Sequence, residues 1–175
     1  HFKPTATLEG LRERVITISS VGKTFSLTGW KVGWVCAPAE ITKVIHNVHQ
    51  FVTFCVAHPL QVALVEALNR LTEYLIQFHA EYKSRKQILI QGLTGLDYKI
   101  IPSQGTYFVT AHVPAGYTDW TYSQYLVENK KVAAIPLSPF YKKSEEGQGL
   151  IRFCFAKKEQ TLTRAIENLK GQSHS

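Results

Sequence analysis

The sequence predicts an α/β to α+β protein, and three observations carry that expectation. β-branched and apolar runs at Val15–Ile18, Trp30–Cys36, Thr106–Val113 and Leu150–Ala156 have the texture of strands. Between them, from residue 39 to residue 93, apolar side chains recur at helical spacing and mark a helix-rich connector. Beyond residue 98 strands and helices alternate, so a small helix-flanked sheet is expected in the rest of the chain.

In order, the strand Val15–Ile18 runs into a loop of small residues and is expected to be buried. A second strand, Trp30–Cys36, ends at Ala37-Pro38. Ala39–Val48 places Ile41, Val44, Ile45 and Val48 at helical spacing, and Pro59 opens another apolar helix, "LQVALVEALNRL". In "TEYLIQFHAEYKSRKQILIQGL" Leu75, Phe78, Tyr82 and Leu89 share a face, with Gly92 and Gly95 expected to punctuate the end. Tyr98–Ile101 and Thr106–Val113 are joined by the tight connection Pro102-Ser103-Gln104-Gly105. A helix over 119–129 is capped by Thr118 or Asp119, and strands follow at Val132–Ile135 and Leu150–Ala156. The last helix, Glu159–Leu169, carries Leu162, Ala165, Ile166 and Leu169 on one side.

Composition narrows the function classes. With 175 residues, 45% of them hydrophobic, the chain can bury one good core or somewhat more. No run approaches the roughly 18 apolar residues of a membrane span, and His1-Phe2-Lys3-Pro4 lacks the layout of a signal peptide, so a cytoplasmic protein is expected. Cys36, Cys55 and Cys154 form no CxxC and are odd in number, which suits free thiols. The +7 net charge is spread over Lys83, Arg85, Lys86, Lys130-Lys131 and Lys142-Lys143, a solvated surface and not a continuous stripe for nucleic acid. There is no methionine, and the chain opens in the polar run "HFKPTATLEG", so it is expected to be a piece of a longer chain.

The stretch "SVGKTFSLTGWKVGW" carries the chemistry. Gly22-Lys23-Thr24 matches the tail of a phosphate-binding P-loop, but Thr17 stands where that loop needs a glycine whose backbone can curl around phosphate. Lys23 follows a strand in a turn of small residues, where partial desolvation would favour its neutral amine and a Schiff base with an aldehyde. Ser20 and Lys31 flank it as a hydroxyl and a second cation, a set that suits the phosphate of an aldehyde-bearing cofactor.

The same residues resemble the lysine signature of class I/II pyridoxal 5′-phosphate aminotransferases: small residues around Lys23, then Gly29, Trp30, Lys31 and Gly33 at fixed distances. "HQFVTFCVAHPLQVALVEAL", "PSQGTYFV", "VAAIPLSPFY" and "IRFCFAKKEQTL" extend the resemblance, in order, to the C-terminal half of the methionine aminotransferase and kynurenine–glutamine transaminase branch. The resemblance implies fold type I, with residues 1–72 completing a large cofactor domain and its interdomain helix, and 73–175 forming a small α+β domain. It implies a homodimer and pyridoxal 5′-phosphate on Lys23, which also moves a proton between the substrate Cα and the cofactor. Ser20 and Lys31 would bind the cofactor phosphate, Arg152 the substrate α-carboxylate, and Phe54 would line the substrate pocket. The expected donors are apolar, sulfur-containing or aromatic amino acids, with 2-oxo acids as acceptors.

Chemistry supports that role for Arg152, because a guanidinium pairs with a carboxylate through two parallel hydrogen bonds, but without the resemblance an arginine in such a strand reads better as a structural ion pair. The family's remaining cofactor groups lie upstream of the lysine and the chain begins after them, so this segment alone is expected to be inactive or nearly so. Cys55 stands where some relatives carry His, which removes a polar role there. His46 and His49 are three apart with no third metal ligand at a known spacing. Tyr107, Phe108, Phe140 and Tyr141 suit either a substrate wall or packing. Two other functions stay open: a cysteine-conjugate β-lyase on the same scaffold, and a non-catalytic fragment.

Overall fold

The computed structural model describes residues 3–171; His1 and Phe2, from the N-terminal run read above, lie outside them. The chain divides into two compact units, one up to Tyr74 and one from Leu75 onward.

In the first unit, β1 (Thr17–Ser20) pairs antiparallel with β2 (Gly33–Cys36), Thr17 opposite Cys36 and Ser20 opposite Gly33. Between them lie α1 (Val21–Thr24), a single turn, and a 3-10 turn at Thr28–Trp30. Two helices follow, α2 (Ala39–Val52) and α3 (His58–Asn69), the latter opened by Pro59, whose missing N–H is no loss in a first turn. Buried Val21, Val32 and Leu64 form the core of this unit, with Phe25, Leu27, Trp30 and Trp34 against it. The expected buried strand is corrected: it starts two residues later, at Thr17, and Ile18 is 76% exposed. The reason is topological, since among the described residues β1 pairs with β2 alone and the two-residue alternation turns Ile18 away from the Val21 core.

The second unit takes in most of α4 (Leu71–Thr94), then β3 (Ile100–Ile101), β4 (Phe108–His112), α5 (Asp119–Lys130), β5 (Ile135–Pro136), β6 (Leu150–Cys154) and α6 (Glu159–Lys170). Its strands form an antiparallel sheet in the order β3-β4-β6-β5. The longest ladder sets Phe108 opposite Cys154, Thr110 opposite Arg152 and His112 opposite Leu150. Side chains alternate along it: Val109, Ala111, Ile151 and Phe153 enter a core closed by Leu89 and Leu93 of α4, Tyr122 and Leu126 of α5, and Leu162, Ile166 and Leu169 of α6. Each fully buried aliphatic or aromatic side chain there contributes about 1.5–3 kcal/mol of transfer free energy.

Local chemistry sets the element ends. Thr118 caps α5: its Oγ1 accepts the Thr121 N–H at 3.2 Å, and Thr121 Oγ1 accepts the Thr118 N–H at 2.9 Å. Lys131, left-handed at φ 55°, stops that helix, and the Val132 N–H then donates to the Leu126 carbonyl, so β5 is confined to Ile135–Pro136. Gly95 follows the last residue of α4 as expected, but Gly92 does not end the helix. A Cβ there would lie 2.4–2.9 Å from three atoms of buried Ile166, so Gly92 lets α4 and α6 approach.

Tyr98 and Tyr122 share a hydroxyl–hydroxyl hydrogen bond. Burial first, and then this bond, push the Tyr98 hydroxyl well above its ordinary range, and burial raises Tyr122 as well.

Gly92→Ala should lower stability by about 1 kcal/mol, because overpacking against Ile166 outweighs the helix-propensity gain; made on an Ile166→Ala background, where that side chain is gone, the same substitution should cost little further in thermal unfolding. A tyrosine pKa raised by folding stabilises fully below the unfolded value near 10, and the benefit is lost as pH climbs toward the folded value. Unfolding midpoints measured from pH 8 to pH 11 should therefore fall more steeply for the unaltered protein than for Tyr98→Phe.

Candidate active site

The residues singled out in the sequence divide between the units. Ser20, Lys23, Lys31 and Phe54 belong to the first, and Arg152 to the second.

Ser20 ends β1 and caps α1, its Oγ accepting the Gly22 N–H at 3.2 Å. Lys23 is on the same turn, three residues on, and is exposed. This corrects the expectation of a partly desolvated amine: in α1 the buried residue is Val21, and the turn presents Lys23 away from it. Lys31 follows the Thr28–Trp30 turn in a left-handed conformation (φ 55°, ψ 37°) and is exposed too. What brings these loops together is their base. The Val21 N–H donates to the Val32 carbonyl at 3.0 Å, and both valines are buried in the same core. Ser20 and Lys31 thus stand on either side of one backbone hydrogen bond. Gly33 is required there, since a Cβ would meet the Ser19 carbonyl oxygen at 2.5 Å.

One hydroxyl and two primary amines on adjacent loops form a donor set that fits a phosphate-bearing aldehyde: an amine for the carbonyl carbon, and a cation with a hydroxyl for the phosphate. Phe54 follows α2 at φ 67°, a conformation that bulky residues rarely adopt, and is 81% exposed. Cys55, beside it, is an exposed free thiol.

Arg152 lies at the centre of β6, on the sheet face opposite the helical core, between Thr110 and Ile135. Its Cζ is 4.0 Å from the centroid of the Phe108 ring and 4.7 Å from that of Phe140. The guanidinium is therefore clamped by two aromatic rings, contacts worth roughly 0.5–2 kcal/mol each. It pairs with no carboxylate among the described residues, and its buried Nε has no hydrogen-bond partner among them. The structural ion pair that the strand position also suits is not formed among the described residues. A guanidinium whose donors are not spent on an acid keeps a planar fork that can pair with a carboxylate through two parallel hydrogen bonds.

Phe108 and Phe140 answer the question left open for the aromatic residues. Tyr107 packs on the core, whereas Phe108 and Phe140 hold Arg152. Period-two alternation from Arg152 through the ladder could have placed Phe108 on its face; Phe140, in a turn, carried no such signal. Among the described residues no group of three or more His, Cys, Asp or Glu is arranged to hold a metal, and no helix is long and apolar enough to cross a membrane.

The sequence matches the aminotransferase class I and II family over residues 2–169. It is 43% identical to methionine aminotransferase of Escherichia coli over 91% of this chain and 42% of that protein. It is 37% identical to kynurenine–oxoglutarate transaminase of Dictyostelium discoideum over 94% of this chain and 43% of that one. Among solved structures, the methionine aminotransferase of E. coli superposes with a TM-score of 0.90 at 39% identity, covering 97% of this chain and 44% of that one. The N-succinyldiaminopimelate aminotransferase of Mycobacterium tuberculosis gives 0.86 at 36% identity, covering 96% and 44%. The chain thus spans about two fifths of the length of these relatives. With a lysine-bearing turn, a clamped arginine and a match along nearly its whole length, the chain belongs to the aminotransferase class I and II family, whose fold type I architecture it shares.

Proposed function

We propose that the protein containing this chain is a pyridoxal 5′-phosphate-dependent aminotransferase. It would move the amino group of an apolar, sulfur-containing or aromatic amino acid to a 2-oxo acid. The observation that carries this reading is the Arg152 guanidinium, held by Phe108 and Phe140 with no acidic partner among the described residues, in a chain of this family. The relatives named for methionine and for kynurenine support the substrate class.

When bound, the cofactor supplies an electron-withdrawing ring that accepts the electron pair released when a substrate bond at Cα is broken. The chain supplies the rest. Lys23 Nζ would hold the cofactor aldehyde, and would also serve as the base that takes the substrate Cα proton and the acid that returns it. Ser20 Oγ and Lys31 Nζ would hold the phosphate, a hydroxyl and an ammonium being a strong pair for a dianion. Arg152 would take the substrate α-carboxylate through two parallel hydrogen bonds, which would orient the substrate. Phe54 would line the pocket for the substrate side chain.

Residues 1–72 and 73–175 would be the end of the large domain and the small domain, a reading supported by the compact units that part after Tyr74. A homodimer agrees with the apolar surface offered by Phe51 and Val52 at the end of α2. A cytoplasmic setting suits three free cysteines.

Two substitutions in the full-length protein test the reading. Lys23→Ala should lower transamination by about 10²–10⁴-fold, as expected for losing a general base. Arg152→Lys, which keeps the charge and loses the two-pronged bond, should raise KM for amino acid and oxo acid alike by about 10- to 100-fold. A KM within twofold of the unaltered enzyme would remove Arg152 from the carboxylate subsite.

A further inference from the structure

Asp119 is fully buried, and nothing in the proposed reaction uses it. It opens α5, with its own N–H donating to the Gln148 carbonyl at 2.7 Å. One carboxylate oxygen, Oδ2, accepts the backbone N–H of Ser138 at 2.7 Å. The other, Oδ1, is buried with no hydrogen-bond partner among the described residues. Burying a carboxyl group on a single accepted bond is unfavourable, so an apolar residue or a serine would suit the site better if packing were all that mattered. The position is explained by what that one bond holds.

Ser138, itself buried, begins the 3-10 turn Ser138–Phe140. The Phe140 N–H closes the turn on the Leu137 carbonyl at 3.0 Å, and the Leu137 N–H reaches the Leu150 carbonyl at 3.3 Å, beside Arg152 on β6. From the other side Gly147 packs on the Ser138 backbone so closely that a Cβ would lie 2.6 Å from the Ser138 Cα. The turn is thus fastened at three places, one of which is the Asp119 carboxylate. Its last residue, Phe140, is 63% exposed yet covers the Arg152 guanidinium. A ring that exposed is not located by burial; it is located by the backbone that carries it.

We infer that Asp119 is a positioning residue of the carboxylate subsite: through the Ser138 N–H it fixes the turn that holds Phe140 on Arg152. This rests on the reading that Arg152 receives the substrate carboxylate. Loss of the Asp119 bond lets the turn drift, frees one face of the guanidinium, and loosens the orientation in which a carboxylate can meet it. Asp119 never touches substrate.

The test is a double-mutant cycle in the full-length holoenzyme, with Asp119→Ala and Phe140→Leu made singly and together. Each single variant should raise KM for amino acid and oxo acid about 5- to 10-fold, with kcat changed less than twofold and cofactor absorbance retained. Because both act through one contact, the double variant should be no worse than the worse single one, not the product of the two. Asp119→Asn, which keeps an oxygen for the Ser138 N–H, should recover most of the loss. If Asp119→Ala does not fold, Gly147→Ala takes its place in the cycle, since it displaces Ser138 from the opposite side. Multiplying effects, or a loss of thermal stability with KM unmoved, would overturn the inference. Arg152→Lys separates the two levels: if it raises KM while Asp119→Ala does not, only the role of Asp119 fails; if it leaves KM alone, the carboxylate subsite fails and this inference with it.

Discussion

The β4–β6 ladder is the constraint on which the second unit depends. Its register sends Val109, Ala111, Ile151 and Phe153 to one side of the sheet, and Phe108, Thr110, Arg152 and Cys154 to the other. A slip of one residue would push the Arg152 guanidinium into the core and bring Ile151 and Phe153 out to water. The apolar transfer energy of the core residues and the desolvation of the charge therefore act in the same direction, and both hold Arg152 on the open face. The proposed carboxylate subsite is in this sense a by-product of core formation, refined by the rings of Phe108 and Phe140.

The first unit solves a similar problem with less material. Its exposed polar residues, Ser20, Lys23 and Lys31, are placed by buried neighbours one or two positions away. Val21 and Val32 share a core and a backbone hydrogen bond, so the loops that carry the hydroxyl and the amines cannot separate without breaking both. Left-handed backbone at Lys31, and at Phe54 farther along, costs of order 1 kcal/mol per residue. Lys131 shows the same conformation at a helix end, so left-handed backbone alone does not mark a site.

Much of this was legible in the sequence, for physical reasons that differ between elements. The helical spacing of Leu162, Ile166 and Leu169, and the turn chemistry of Thr118, are local signals, and both reappear in the structure. Lys23 and Arg152 stood out because their chemistry is rare in such settings and because the motifs around them resemble one family. What could not be read depends on partners distant in sequence. Gly92 has the look of a helix terminator until Ile166, far along the chain, is placed against it. In sequence Asp119 suits a helix cap as well as Thr118 does; in the structure Thr118 takes that role, and the acid goes to the Ser138 backbone instead. Exposure misled in the other direction: β-branched Ile18 suggests burial, but a two-stranded ribbon has two faces and Ile18 is on the open one.

The central claim is that Lys23 Nζ is the group that holds the cofactor. The most direct measurement is reduction of the full-length protein with borohydride in the presence of pyridoxal 5′-phosphate, followed by mass mapping of the modified peptide. Reduction converts an imine into a stable amine where it stands, so the label reports the attachment point independently of turnover. A single pyridoxyl group confined to Lys23 is the predicted result. Label spread over surface lysines, or placed on one lysine other than Lys23, would contradict the account.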